Sequence, residues 1–454
     1  MVQNIFMSCH PSLPRVSDCH LILFGRYPVP GKTKTRLIPL LGQVGAAEWH
    51  RRQTENTLKK VMEYRGVYSV AFCYTGGGRD LVRRWLGPAP LHLTQQVGGD
   101  LGERMRAVLF EALDRGAGRV VLVGTDIPQM TSAHIIAAFD AMDRHELVLG
   151  PSRDGGYWLI GLRCKADIFR DIQWGSDKVL DQTLTRARQQ GLKTACLPKL
   201  NDIDTPSDLK TDRSWRGGTG PYLSVIIPTL NEADFISSVI HRARSPESEI
   251  IVADGGSRDA TVEIAREAGA NVNIGLPGRA LQQNAGAAVA QGKILLFLHA
   301  DTLLPPDYTR LVFECLVDHR VVAGAFQFKT DYDTMSMRLI EKAARIRSSL
   351  FQMPYGDQAL FMPRPVFEKV GGFPVTPIAE DLYLVRRLAR LGRVGLAKGM
   401  SLTSGRRWRH IGVWRATMIN YLIAIGCLIG VDPHKLAPLY RLWTHNRADR
   451  QRRQ

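Results

Sequence analysis

None of the seven cysteines, at positions 9, 19, 73, 164, 196, 315 and 427, belongs to a C-x-x-C pair, and their number is odd. That scatter argues against a zinc site or a disulfide framework and favours a reducing, cytoplasmic setting. Long apolar runs are scarce too. The longest uncharged apolar stretch, 416–431, is shorter than the ~20 residues a spanning helix needs and carries Asn420 inside it. The opening MVQNIFMSCHPSLPRVSDCH lacks a basic start followed by an apolar core, so residues 1–19 read as a loose leader rather than a signal peptide. Acidic residues are in deficit, 43 against 60 basic ones, for a formal net charge of +17. Such a balance favours phosphate-rich partners, whether nucleic acid, an anionic membrane surface or nucleotides, and composition does not choose among them.

What is present is ample material for folded cores. A length of 454 residues with 44% apolar composition implies two to four domains. From Leu21 the chain alternates apolar strand, loop and helix: Leu21–Phe24, a helix around Ala46–Glu63, Val67–Tyr74, a helix near Leu101–Asp114, then Val120–Val123. The alternation stops at KTDRSWRGGTGPYL, where charge, three glycines and a proline mark a linker. It restarts with Leu223–Pro228, a helix near Asp234–Arg244, Ile250–Ala253 and a helix over Ala260–Ala268. Such alternation predicts an α/β fold, here two tandem domains with mostly parallel sheets. The expected organisation is a leader at 1–19, a first domain at 20–210, a linker at 211–222, a second domain at 223–410, and an apolar helix with a basic tail at 411–454. In open α/β sheets ligands bind beyond the carboxyl ends of strands, where Asp126 and Asp301 fall.

In the first domain GRYPVPGKTKTRL, residues 25–37, superficially matches a phosphate loop. Five residues rather than four separate Gly25 from Gly31, and Pro28 and Pro30 lack the N–H groups such a loop aims at phosphate. Lys32, Lys34 and Arg36 still place cations beside a strand end, which suits a polyphosphate; a solvated basic loop reads equally well. Asp126 before Pro128 can be a helix cap, Thr205-Pro206-Ser207-Asp208 reads as a capping box, and Asp154-Gly155-Gly156 as a tight turn. Taken in order, GGDLGERM, GTDIP, GPSRDGGYWLIGL and DIDTPSDL resemble the nucleotidyltransferase-like GT-A proteins related to 2-phospholactate guanylyltransferase and to the first glycosyltransferase-like protein of arsenosugar biosynthesis. The resemblance runs over about 21–209. It implies a divalent ion on Asp126 with Asp204 as second ligand, and it leaves Lys34, Arg36 and Asp154 as candidate nucleotide contacts.

In the second domain SVIIPTLNEADFI, VADGGSRDATVEIA and GRALQQNAGAAVAQGKILLFLHADT resemble, in order, the inverting family-two glycosyltransferases, including the second arsenosugar-associated type. The match runs over about 223–408. By that resemblance Pro228, Asn231 and Glu232 border the base and ribose, Asp254 contacts the nucleotide, and Arg279 approaches the diphosphate. Asp254 also suits a strand–turn–helix corner, where glycines let backbone approach a ligand. The family ends its strand in Asp-x-Asp; here His299 replaces the first acid and only Asp301 matches. His299 then either joins a metal, favouring manganese over magnesium, or hydrogen-bonds a phosphate. Alternation along a strand would send both side chains to one face. The Glu380-Asp381 pair opens a basic amphipathic helix, where acids also suit the helix dipole. By resemblance Asp381 is the base that deprotonates the acceptor. Ser404-Gly405-Arg406-Arg407-Trp408 resembles Gln-x-x-Arg-Trp with Ser in place of Gln, which makes Arg407 and Trp408 leaving-group contacts.

The resemblance therefore implies a nucleotide-sugar glycosyltransferase using Mg or Mn, fused to a nucleotidyltransferase-like module, acting on a small-molecule or lipid acceptor in arsenosugar or related glycoconjugate synthesis. The alternative is a polyprenyl or carotenoid glycosyltransferase whose first half is a non-catalytic nucleotide-binding scaffold. The apolar stretch and the tail ending RADRQRRQ suit an anionic membrane surface at the inner face, or else a packed helix with a solvated tail. Nucleic acid is not an expected partner, since no recognised module is present and strand-end acids would repel phosphate in the absence of metal.

Overall fold

The computed structural model describes residues 18–88, 91–211 and 221–444. Residues 1–17 of the expected leader, most of the expected linker and the RADRQRRQ tail lie outside the described residues. The chain divides into two compact units, Met1–Arg216 and Gly217–Gln454.

The first unit is built on β1 (Cys19–Arg26), β2 (Ser69–Thr75), β3 (His92–Gln95), β4 (Arg119–Gly124), β5 (Leu147–Pro151), β6 (Tyr157–Leu162) and β7 (Thr194–Cys196), in spatial order β3-β2-β1-β4-β6-β5-β7. The pairs β3–β2, β2–β1, β1–β4 and β5–β7 are parallel, and β6 runs against both its neighbours. Leu21, Ile22 and Leu23 are buried in succession, as expected of a strand covered on both faces. Helix Leu101–Asp114 begins where Asp100 accepts the Glu103 N–H at 2.8 Å and Glu103 accepts the Asp100 N–H at 3.1 Å. That reciprocal box satisfies two of the four backbone donors that every helix start leaves orphaned. The first long helix is recorded as Ile38–Met62, but Gly42 at φ 71° breaks it, so the regular run starts nearer the expected Ala46.

The second unit contains β8 (Leu223–Thr229), β9 (Ser248–Asp254), β10 (Asn271–Ile274), β11 (Ile294–Phe297), β12 (Thr302–Leu303), β13 (Val321–Thr330), β14 (Leu360–Pro363) and β15 (Arg393–Thr403), ordered β10-β9-β8-β11-β14-β13-β15-β12. Strands β10, β9, β8 and β11 are mutually parallel and β14 is antiparallel to β11, so the sheet changes direction beside the end of β11. Phe297 closes β11 and packs edge-on to Phe373 at 4.8 Å and tilted against Phe367 at 5.1 Å. Aromatic pairs at this separation add about 0.5–1.5 kcal/mol beyond area burial. They anchor the strand end from which the next residues leave the sheet.

Candidate functional site

Beyond Phe297 the chain does not remain a strand. The Thr302 N–H donates to the His299 carbonyl at 3.1 Å, closing a turn, so the expectation that His299 and Asp301 share one face of a strand is wrong. The turn gives the two side chains different neighbours. A Cβ added at Gly356 would lie 2.8 Å from His299 Nε2 and 3.3 Å from Asp381 Oδ2, so imidazole and carboxylate meet over a position where a side chain would displace one of them. Burial, aided by the Arg279 charge, depresses the His299 pKa to about 3 and keeps its ring neutral. Asp301 turns instead to Arg406, whose guanidinium lies 3.2 Å from its Oδ2 and also grips Glu232 at 2.7 and 3.0 Å. Burial, reinforced by Glu232 and opposed by Arg406, raises the Asp301 pKa.

Across the cavity, Ala379 adopts φ 60° and starts the helix Glu380–Leu391. Asp381 accepts the Gly356 N–H at 2.7 Å and the Leu382 N–H at 2.8 Å, while Glu380 receives Arg279 at 3.2 Å. Glu380 is buried; that burial, opposed by Arg279 and reinforced by Asp381, raises its pKa. Pro228, Glu232, Arg279, Asp301 and Asp381 line one cavity of about 650 Å³, together with His299 and Glu380. Arg407 and Trp408 join the lining; Arg407 donates to Asn420 at 2.8 Å, and Trp408 packs on Phe328 with centroids 5.6 Å apart.

Two expected donor contacts stand outside that lining. Asp254 is 1% exposed and accepts four hydrogen bonds, from Gly256 N–H, Ser257 N–H, the Ser257 hydroxyl and the Thr229 hydroxyl. It therefore fixes the strand–turn corner rather than presenting a free oxygen, and it does not cap helix Thr261–Glu267, whose N-cap position is Ala260. Asn231, at φ 54°, accepts the Arg258 N–H at 2.8 Å and ties the same corner to β8.

Sequence reasoning passed over Arg406 and Asp357. Asp357 is enclosed in the same lining and one of its oxygens has no hydrogen-bond partner; burial, opposed by Arg347 and reinforced by Asp381 and Asp301, raises its pKa to about 6. Its carbonyl accepts the Ser401 and Thr403 hydroxyls, each at 3.1 Å, which signals a built position. The available signal was PYGDQ itself, a tight glycine turn carrying an acid.

Among the described residues no group of three or more His, Cys, Asp or Glu side chains is assembled as a metal cage. The cavity does hold desolvated acids with raised pKa, Asp301 and Asp357 among them, so it fits a hard cation completed by oxygens of a ligand rather than by protein alone.

The first unit has its own cleft of about 510 Å³, lined by Lys34, Arg36, His50, Asp126 and Asp204 among others. Asp126 is not a helix cap, because helix Ser132–Ala141 is capped by Thr131. Thr205 and Asp208 do form the expected capping contacts, at 2.8 and 3.3 Å. Asp154 takes the Gly156 N–H at 3.0 Å and the Ser152 hydroxyl, serving the turn between β5 and β6 and staying out of the cleft lining. Between Asp126 and Asp204 sits the Lys34 ammonium, at 2.8 and 3.3 Å, so a divalent ion shared by those two carboxylates does not fit this arrangement.

Residues 224–371 match glycosyl transferase family 2. The second unit carries a family-two glycosyltransferase domain. Its two-domain partner lies upstream: residues 57–176 match DUF2064, a family described as uncharacterized proteins conserved in bacteria. Among curated relatives, the undecaprenyl-phosphate 4-deoxy-4-formamido-L-arabinose transferase of Aeromonas hydrophila is 28% identical over 151 residues, 30% of this chain and 46% of that protein. The chain thus spans less than half the length of that relative. A solved structure from Desulfovibrio desulfuricans G20, described as a nucleotide-diphospho-sugar transferase, is 35% identical and covers 45% of this chain and 92% of its own, with a TM-score of 0.41. The mannosyltransferase PcManGT of Pyrobaculum calidifontis, solved with GDP-Man and Mn2+, is 21% identical and covers 49% of this chain and 68% of its own, with a TM-score of 0.39. The chain is an α/β protein with two mostly parallel sheets, and the family-two match falls on the second of them.

Proposed function

We propose that the chain transfers a sugar, a hexosyl group by resemblance, from a nucleotide-diphosphate donor to a small-molecule or lipid acceptor with inversion, in the cavity of the second unit. The observation that carries this reading is convergence. Pro228, Glu232, Arg279, Asp301 and Asp381 come from separate stretches of sequence and line one cavity in a family-two domain. Arg279 and Arg407 supply fixed positive charge for a polyanionic leaving group. A divalent ion, when bound, would neutralise the departing diphosphate, and Asp301 would hold it. Asp381 takes the acceptor proton, its carboxylate held in place by the Gly356 and Leu382 N–H groups. Glu380, tied to Arg279, positions its neighbour and the donor side together.

The arsenosugar or related glycoconjugate setting follows from the motif resemblance, and the lipid acceptor gains support from the undecaprenyl-phosphate relative. Polyprenyl or carotenoid transfer with a scaffold-like first unit is the second reading. The first unit is read as a nucleotide-binding, nucleotidyltransferase-like module. No helix among the described residues is long and apolar enough to cross a membrane. An anionic membrane surface at the cytoplasmic face is proposed as the working location, because Met335, Leu339 and Leu350 on one helix and Trp414, Met418 and Ile425 on another are all exposed.

The test is transfer from a panel of nucleotide sugars with Mn2+ by wild type and Asp381→Asn. Donor binding should stay near wild type while turnover falls by ~10²–10⁴, the usual contribution of a placed base. Normal turnover denies the base, and lost donor binding makes Asp381 part of the donor site.

A further inference from the structure

The cleft of the first unit differs from the cavity of the second in one respect that follows from a single side chain. Lys34 is 8% exposed at its side chain and directs its ammonium to three oxygens: Asp126 Oδ2 at 2.8 Å, the Ile203 carbonyl at 2.7 Å and Asp204 Oδ1 at 3.3 Å. An ammonium has three donors, and all three are used. The backbone at Lys34 is left-handed, φ 49° and ψ 49°, a conformation that costs a non-glycine residue energy and persists only where the surroundings impose it. The ring of Trp49 lies 5.5 Å from the ammonium, and Arg36 braces the far oxygen of Asp204 at 2.5 Å. The position that a divalent ion would take between the Asp126 and Asp204 carboxylates is thus held by a tethered cation.

Around it the cleft is strongly positive. Arg26, Lys32, Arg36 and Arg104 line it with Lys34, and five cations against Asp126 and Asp204 leave an excess of three positive charges. His50, hydrogen-bonded through Nε2 to the Arg26 carbonyl at 2.9 Å, adds no charge. Without Lys34 the two acids would repel an entering phosphate, which is the task a metal usually performs.

We propose that the first unit binds the polyphosphate of a nucleotide without a divalent ion, Lys34 acting as a built-in substitute for the metal between Asp126 and Asp204. The proposal rests on the reading of this unit as nucleotide-binding and adds how that binding is achieved. Removing the ammonium without changing the acids should convert the cleft into a divalent-ion site, since two carboxylates and a backbone carbonyl are oxygen ligands of the right hardness.

The experiment uses the full chain carrying Asp301→Ala, which removes metal-assisted binding in the second unit. Calorimetric titration with ATP, GTP, CTP and UTP is run in excess Mn2+ and in EDTA, and Arg36→Glu assigns the signal to this cleft. At least one triphosphate should bind with affinities that agree within about threefold in the two buffers, whereas Lys34→Met should lose about tenfold or more in EDTA and recover it in Mn2+. The melting temperature of Lys34→Met should likewise rise on adding Mn2+ alone, while that of the parent should not. Binding by the parent that vanishes in EDTA overturns the role of Lys34 while leaving a nucleotide site. Absence of binding to any triphosphate in both buffers overturns the nucleotide reading and the proposal with it. The titration of the parent decides the matter even if Lys34→Met does not fold.

Discussion

Two of the seven non-glycine residues with positive φ among the described residues line the two cavities, Lys34 in the first unit and Ala379 in the second. Each such residue stores about 1–3 kcal/mol, and the tendency of such strain to gather at functional positions makes Ala379 the most informative of them. Its φ of 60° aims the first turn of helix Glu380–Leu391, and so the Asp381 carboxylate, at Gly356. Ala379→Gly relieves the strain. It should therefore raise stability by about 1 kcal/mol, the left-handed penalty less the added chain entropy of glycine, while lowering turnover, because glycine no longer dictates the entry angle. Calorimetry and initial rates on the same preparation check both halves; unchanged turnover would detach the strain from catalysis. At this scale the site was only partly legible. Motif order pointed to Asp301, Arg279 and Asp381, which do line one cavity. Arg406, which holds Asp301 and reaches Glu232 across 174 positions of sequence, had no local mark, because pairing between distant segments is decided by the fold. Asp254 looked like a ligand contact since the sequence shows an acid at a corner but not that four donors already surround it.

At the scale of elements, strands were the most readable feature, because buried parallel strands are continuous apolar runs: Leu223–Pro228 against the observed Leu223–Thr229, and Ile250–Ala253 against Ser248–Asp254. Their ends were less readable. The run into His299 stops being a strand at Phe297, since the turn is set by a backbone hydrogen bond that no periodicity records. Helix faces follow a similar division. Helix Val413–Leu428 buries Ala416, Ile419 and Ile423 yet exposes Trp414, Met418, Leu422 and Ile425, a stripe at i, i+4, i+8 and i+11. Helix Met335–Leu350, which shares a core cluster with it through Met337, Ala344 and Ala416, exposes Leu339 at 59% and Leu350 at 72%. Lys342 and Arg345 are exposed on that second helix and suit anionic headgroups, each contributing about 1 kcal/mol near such a surface. Leu339→Asp and Ile425→Asp together should cut co-sedimentation with phosphatidylserine vesicles severalfold and leave the melting temperature within about 1 °C, because exposed positions carry little folding energy. Undiminished vesicle binding would assign the stripes to something other than lipid.

For the whole molecule, the question is whether the two units stand alone energetically. Each has its own sheet and its own buried cluster: Ile22, Val120, Leu147 and Ile160 in one, Ile226, Phe297, Leu360 and Leu384 in the other. Chains of about 200 residues bury roughly 70% of their unfolded surface, enough for independent stability. The proposed boundary within 211–222 therefore predicts two unfolding transitions rather than one. Ligands provide the stricter test, since a ligand stabilises only the cooperative unit that binds it, by about 2.7 kcal/mol at a hundredfold excess over Kd. For domains of 150–250 residues that amounts to a rise of roughly 5–10 °C. In a calorimetric scan of the full chain, a nucleoside triphosphate in EDTA should move one transition and a nucleotide sugar with Mn2+ the other. Separate expression of residues 1–214 and 219–454 should reproduce each transition at its own temperature, the second piece in detergent if its apolar stripes require cover. A single transition shifted by either ligand would mean that the two units unfold as one, and the boundary would then separate sheets without separating folding units.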